Sequence, residues 1–250
     1  MQMNRPRGAG APPAVPPAPR RPGQPPPGKH RLGAGGTAGR MPAPPVIAAG
    51  IVVLAIVAWL LWPSAPITNL DSRGTNVIAF GDSLTAGYGA GASEDYPSVL
   101  AALLGMPVLN AGVSGDTTES ALARLDADVL ARDPRIVIVG LGGNDFLRRM
   151  PLAETEANLR NTIRQIHAAK AMVVLLGFRF PSLGPSYEDM YERVAEEEGC
   201  LLIPDLLDGI LRDPALRSDA IHPNARGYRV MAERVAAPCR KLLQKADATR

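Results

Sequence analysis

Asn76-Val77-Ile78-Ala79-Phe80 is a short apolar run that breaks abruptly at Gly81-Asp82-Ser83-Leu84-Thr85. Five residues rich in β-branched and aromatic side chains, closed by a turn former, are too short for a helix and suit a strand buried on both faces. The same pattern recurs in PVLN (107–110), RIVIVGL (135–141), MVVLLGF (172–178) and CLLIP (200–204). Longer amphipathic stretches separate these runs: Tyr96 to Leu104, Thr118 to Arg132, Glu154 to Lys170 and Tyr187 to Glu198, with Ala225 to Lys245 closing the chain. Strands alternating with helices predict a parallel sheet covered on both faces, a three-layer α/β/α domain. No internal repeat is visible.

Open α/β sheets bind ligands at the carboxyl ends of their strands, so the residues just past each strand carry the functional information. Four places stand out: Gly81-Asp82-Ser83-Leu84-Thr85, Ser114-Gly115-Asp116-Thr117, Gly142-Gly143-Asn144-Asp145 and Asp219-Ala220-Ile221-His222-Pro223. Each alone is weak evidence, because Gly, Asp, Asn and Ser are ordinary turn formers. Together, and in this order, they resemble the SGNH, or GDSL, hydrolase superfamily.

The resemblance runs from Asn76 to about Leu243 through FGDSLTAGYG, NAGVSGDTT, GLGGNDFLR and DAIHPN, and is nearest to the bacterial thioesterase/lysophospholipase (arylesterase) branch. It implies a flavodoxin-like sheet of five parallel strands and a serine hydrolase cleaving esters or thioesters. It further implies Ser83 as nucleophile, Asp219 and His222 as the acid and base, and Ser83, Gly115 and Asn144 as the oxyanion hole.

The chemistry of the residues points the same way. A serine hydroxyl is a weak nucleophile until an imidazole accepts its proton, and that imidazole needs a carboxylate to fix its tautomer. Of the three histidines, His30 lies in a Pro-rich region and His167 inside a predicted helix, which leaves His222. Two intervening residues allow Asp219 and His222 to project from one tight turn. Acyl transfer also creates an oxyanion, for which the N–H groups of Ser83 and Gly115 and the amide of Asn144 are suitable donors. Glycine suits 115 because a side chain there would obstruct close approach and restrict the backbone, whereas Asn144 also fits a plain turn role. Asp82, Asp116 and Asp145 are expected to bond to loop N–H groups. With no metal-ligand set and no phosphate-cradling glycine loop, no cofactor is expected.

The N-terminal part has another character. Residues 1–45 hold 13 of the 25 prolines, 8 of the 25 glycines and seven bases without one acid. Such a segment cannot bury enough surface to fold, so a disordered cytoplasmic tail is expected, either inert or binding a polyproline-reading partner. Residues 46–62, VIAAGIVVLAIVAWLLW, carry no charge. As a helix they would span roughly 26 Å, enough for a transmembrane signal anchor. Because the bases all precede it, the N-terminus is expected in the cytoplasm and the domain at 76–250 outside, in the periplasm or extracellular space, after a linker at 63–75.

Charge balance in the remaining chain is slightly acidic, which argues against a nucleic-acid reader. Cys200 and Cys239 show no metal or redox spacing, and both a disulfide and two separate thiols are compatible with the sequence. Two alternatives to a lipid-type acyl hydrolase remain: a deacetylase of cell-envelope carbohydrate using the same site, and a non-catalytic envelope protein whose Pro-rich tail recruits a partner.

Overall fold

The computed structural model describes residues 66–179 and 186–249. The expected tail at 1–45 and anchor at 46–62 lie outside the described residues. Among the described residues no helix is long and apolar enough to cross a membrane.

Five parallel strands form one sheet: β1 Asn76–Gly81, β2 Val108–Gly112, β3 Pro134–Gly140, β4 Met172–Leu176 and β5 Leu201–Ile203. Their spatial order is β2-β1-β3-β4-β5. The chain therefore steps from β1 to one side, then crosses back over it to β3, and the order reverses at β1. Ser83 follows β1 directly, at the switch point where the loops on either side diverge to leave a crevice. The central strands are apolar on both faces because both are covered: Val77 to Phe80 and Ile136 to Val139 are all at most 1% exposed.

The helices are α1 Ser83–Ala86, α2 Tyr96–Leu104, α3 Thr118–Asp128, α4 Gly143–Leu147, α5 Leu152–Ala168, α6 Ser186–Glu198 and α7 Ala225–Ala248, with a 3-10 turn at Leu130–Arg132. Helix α2 packs on α7, whereas α3, α5 and α6 pack in a row, giving one helical layer on each face. Caps explain several starts: Asp95 accepts the N–H of Ser98, and Thr117 and Ser120 form a reciprocal capping box.

Two differences from the sequence expectation matter for the site. Helices α1 and α4 stand where turns were expected, and they carry Ser83 and Asn144. Within the stretch read as linker, Thr68 donates from N to Gly199 O at 3.0 Å, and Asn69 Nδ2 donates to His167 O and Ala171 O at 2.8 and 3.1 Å. The ordered body thus extends N-terminal of Asn76. Cys200 and Cys239 are two separate buried thiols, and burial pushes each up to about 12.

Candidate active site

The β1 strand delivers Asp82 and Ser83 to the carboxyl edge of the sheet. Asp82 caps α1, its Oδ1 accepting the N–H of Leu84 at 3.0 Å, so Ser83 occupies the first position of a helical turn. Its hydroxyl lies 3.0 Å from His222 Nε2. On the other side of the ring, His222 Nδ1 lies 2.8 Å from Asp219 Oδ2. A carboxylate offers only acceptors, so Nδ1 carries the hydrogen and Nε2 is free to accept the serine proton.

The Asp219-Ala220-Ile221-His222 turn is held by that same carboxylate. Asp219 Oδ1 accepts the backbone N–H of both Ile221 and His222, each at 2.8 Å. These bonds to the charged form hold the Asp219 carboxyl below its ordinary range, aided by the His222 side chain. Below the turn, Asn224 caps α7 and donates to Ala215 O, while Ser218 N donates to His222 O at 2.9 Å. The turn is therefore fixed at both ends. The Tyr88 ring packs 4.5 Å from the His222 ring, and Tyr228 OH donates to Tyr88 O at 2.7 Å.

Asn144 sits in the first turn of α4. Its Nδ2 donates to Asp116 O at 2.9 Å and approaches Asp82 Oδ2 at 3.3 Å, tying the loops after β1, β2 and β3 together. Gly115 precedes that carbonyl, with φ of 87°. The nearest neighbour to a side chain there would be Arg148 Nη2 at 3.7 Å. Of the two reasons the sequence offers for glycine at 115, restriction of the backbone is borne out by its left-handed φ, while no described atom comes closer than 3.7 Å to a side chain there.

The three loop aspartates differ. Asp82 and Asp145 accept loop N–H groups, from Leu84 and Thr118. Asp116 instead accepts Ser120 Oγ at 2.9 Å and Arg124 Nε at 2.6 Å. Arg124, which the sequence did not single out, also donates to Ala111 O and Gly81 O, each at 3.0 Å, and its guanidinium lies over the Phe80 ring at 4.5 Å. One side chain thus fastens the ends of β1 and β2 and the Gly115 loop.

A cavity of about 140 Å³ opens beside Ser83 and His222, walled by Leu84, Phe146, Leu147, Phe178, Leu207, Leu211 and Ile221. A larger groove of about 730 Å³ lies along β5, α6 and α7, lined by none of the site residues. The chemistry belongs to the smaller one: an activatable hydroxyl with an apolar recess next to it suits an acyl group.

Comparison with known proteins agrees with this geometry. Residues 79–230 match the GDSL-like lipase/acylhydrolase family. Thioesterase 1/protease 1/lysophospholipase L1 of Escherichia coli is 34% identical over 185 residues, covering 71% of this chain and 89% of the relative. The crystal structure of TesA superposes with a TM-score of 0.64 at 32% identity, covering 67% of this chain and 99% of that one. The psychrotrophic esterase EstA from Pseudoalteromonas, solved with monoethylphosphonate as inhibitor, gives 0.62 at 28% identity and covers 68% and 98%. In these solved relatives the shared domain is nearly the whole chain, so this fold stands by itself. The protein belongs to the GDSL-like lipase/acylhydrolase family of SGNH hydrolases and is a carboxylic ester hydrolase.

Proposed function

We propose that the chain is a membrane-anchored, outward-facing serine acyl hydrolase that cleaves esters or thioesters through an acyl-enzyme on Ser83. The observation that carries this reading is the row Ser83 Oγ, His222, Asp219, with contacts of 3.0 and 2.8 Å, at the mouth of an apolar cavity.

In the first half-reaction Ser83 Oγ attacks the acyl carbonyl carbon and its proton passes to His222 Nε2. Asp219 stabilises the imidazolium through Nδ1–H and keeps its own charge, consistent with its lowered pKa. The oxyanion is met by the N–H groups of Ser83 and Gly115 and by Asn144, which exchanges its longer 3.3 Å contact to Asp82 for the substrate oxygen. When the intermediate collapses, the proton on Nε2 goes to the departing alcohol or thiol. Water then attacks the acyl carbon, gives a proton to Nε2, and the acid leaves as Ser83 Oγ recovers that proton.

Replacing Ser83 by alanine tests the core of this mechanism: turnover and labelling by a fluorophosphonate probe should both disappear while the thermal transition persists. Labelling at another serine in that variant would sink the assignment. The anchor rests on the uncharged run 46–62 and the seven bases before it. Protease added to intact cells should digest the hydrolase domain, and protection until the membrane is opened would reverse the topology.

A second reading, an O-deacetylase of envelope carbohydrate, draws on the small cavity, since ligand pockets are typically about 300–1,000 Å³. A panel of esters of increasing acyl length separates the two, with a steep fall beyond acetyl favouring the deacetylase.

A further inference from the structure

Four large hydrophobic side chains stand exposed among the described residues: Tyr88 at 56%, Val113 at 44%, Leu147 at 51% and Ile221 at 43%. Scattered singly over a surface such residues would call for no explanation. Here all four belong to the segments that carry the site residues around Ser83, three in loops and Leu147 at the end of α4. Tyr88 lies on the His222 ring, and Ile221 immediately precedes His222. Val113 follows β2, donates its N–H to Gly81 O at 3.0 Å, and leads into Ser114-Gly115. Leu147 ends the helix that carries Asn144. Leu147 and Ile221 also form part of the cavity wall, so on that side the apolar rim runs into the recess. Apolar exposure confined to one place marks a surface that is covered in use.

Charge beside the rim indicates what covers it. Arg148 and Arg149 follow Leu147 directly and are exposed. Arg148 Nη2 donates to Gly115 O at 2.7 Å, and neither guanidinium is in an ion pair among the described residues. Asp219, the carboxylate of the rim turn beside Ile221, is already engaged by His222. Apolar side chains flanked by arginines with open donor positions suit a layer whose acyl chains lie beneath phosphate headgroups.

Cavity size adds an independent argument. About 140 Å³ is too little for a long acyl chain, which must then continue past Leu147 and Ile221 onto the rim. A chain that stays partly in its own aggregate needs no larger pocket. We propose that Tyr88, Val113, Leu147 and Ile221, with Arg148 and Arg149 beside them, seat the domain on an anionic phospholipid surface. The ester is then attacked while most of its acyl chain remains in the lipid layer. The inference rests on the ester hydrolase reading of the same site and names the physical form in which substrate is met.

Binding is tested apart from catalysis with the Ser83→Ala form of residues 66–250, sedimented with vesicles of phosphatidylcholine alone or mixed equally with phosphatidylglycerol. Sedimentation should be at least tenfold greater with the anionic vesicles, and should fall about tenfold in the Val113→Ser/Arg149→Glu double variant. The single Arg149→Glu change should lower it several-fold. Catalysis is then read as a ratio with Ser83 restored: hydrolysis of a lysophospholipid in anionic vesicles relative to a water-soluble acetate ester. The double variant should lower that ratio about tenfold. Equal sedimentation with both vesicles, or unchanged sedimentation and ratio in the variants, overturns the proposal. Loss of hydrolysis with binding intact would count against the catalytic assignment instead, so the two failures are distinguishable.

Discussion

Asp82, at the end of β1, and Asp219, in the turn before α7, both feel the neighbouring His222, yet the fold treats them in opposite ways. Asp82 is 2% exposed and its pKa is raised to about 6, chiefly by burial, against the single N–H of Leu84 and the neighbouring imidazole. Asp219 has 43% of its side chain exposed, and two backbone N–H groups and the imidazole hold its pKa below the ordinary value. The difference teaches that a carboxylate's behaviour here follows from its burial set against the donors its backbone turn supplies. The turn at 219–222 wraps two N–H groups around the anion, whereas α1 gives Asp82 one and then seals it from water.

The largest effect should come from removing the charge on the exposed partner. Asp219→Asn is expected to lower kcat by about 10⁴-fold, because an amide donor facing Nδ1 favours the tautomer that cannot accept the Ser83 proton. Steady-state kinetics on a soluble ester, with an unchanged thermal transition, checks this. A loss under tenfold would mean that the turn orients His222 without that carboxylate charge.

Next in size is the residue touched by the buried partner. Asn144→Ala should reduce kcat by about 10² to 10³-fold while Ser83 still reacts with a fluorophosphonate. Turnover near wild type would leave Asn144 only its tie between loops.

The smallest effect is on stability and has a defined sign. Because the folded pKa of Asp82 is raised from 3.8 to about 6, the native state holds this proton more tightly than the unfolded chain. The associated stability is fully present below about 4 and is lost as pH rises through about 6. Asp82→Asn keeps an oxygen for the Leu84 N–H and removes the buried charge. It should therefore be more stable than wild type at pH 8 by about 2 to 3 kcal/mol, an advantage that vanishes at pH 4. Urea unfolding at the two pH values measures it, and a pH-independent difference would show that the pKa of Asp82 is the same in the folded and unfolded states.

Much of this was legible in sequence because the central strands β1, β3 and β4 are buried on both faces and so appear as unbroken apolar runs, and the motif residues stand just past β1, β2 and β3. Asp219 and His222 were legible because their contact is local. Helices α1 and α4 were not, since four or five residues are too few for any helical period to appear. Arg124 was not, because within α3 it looks like any surface base; its partners Gly81, Ala111 and Asp116 come from three other segments that only the folded sheet brings together. That the backbone at Gly115 is left-handed likewise lies in a dihedral angle that composition does not record.

That arginine divides the rim of the sheet into a welded half and a replaceable half. With one planar group gripping the β1 and β2 termini and the acidic anchor of the following loop, neither loop can be lengthened or regrafted without unseating the other. The segments after β4 and β5 that supply Phe178, Leu207 and Leu211 to the recess are outside that grip and precede the turn at 219–222. A protein engineer wishing to change which acyl group is accepted should therefore recombine those two segments as cassettes and leave intact the loops that carry Ser83, Gly115 and Asn144 and the turn at 219–222.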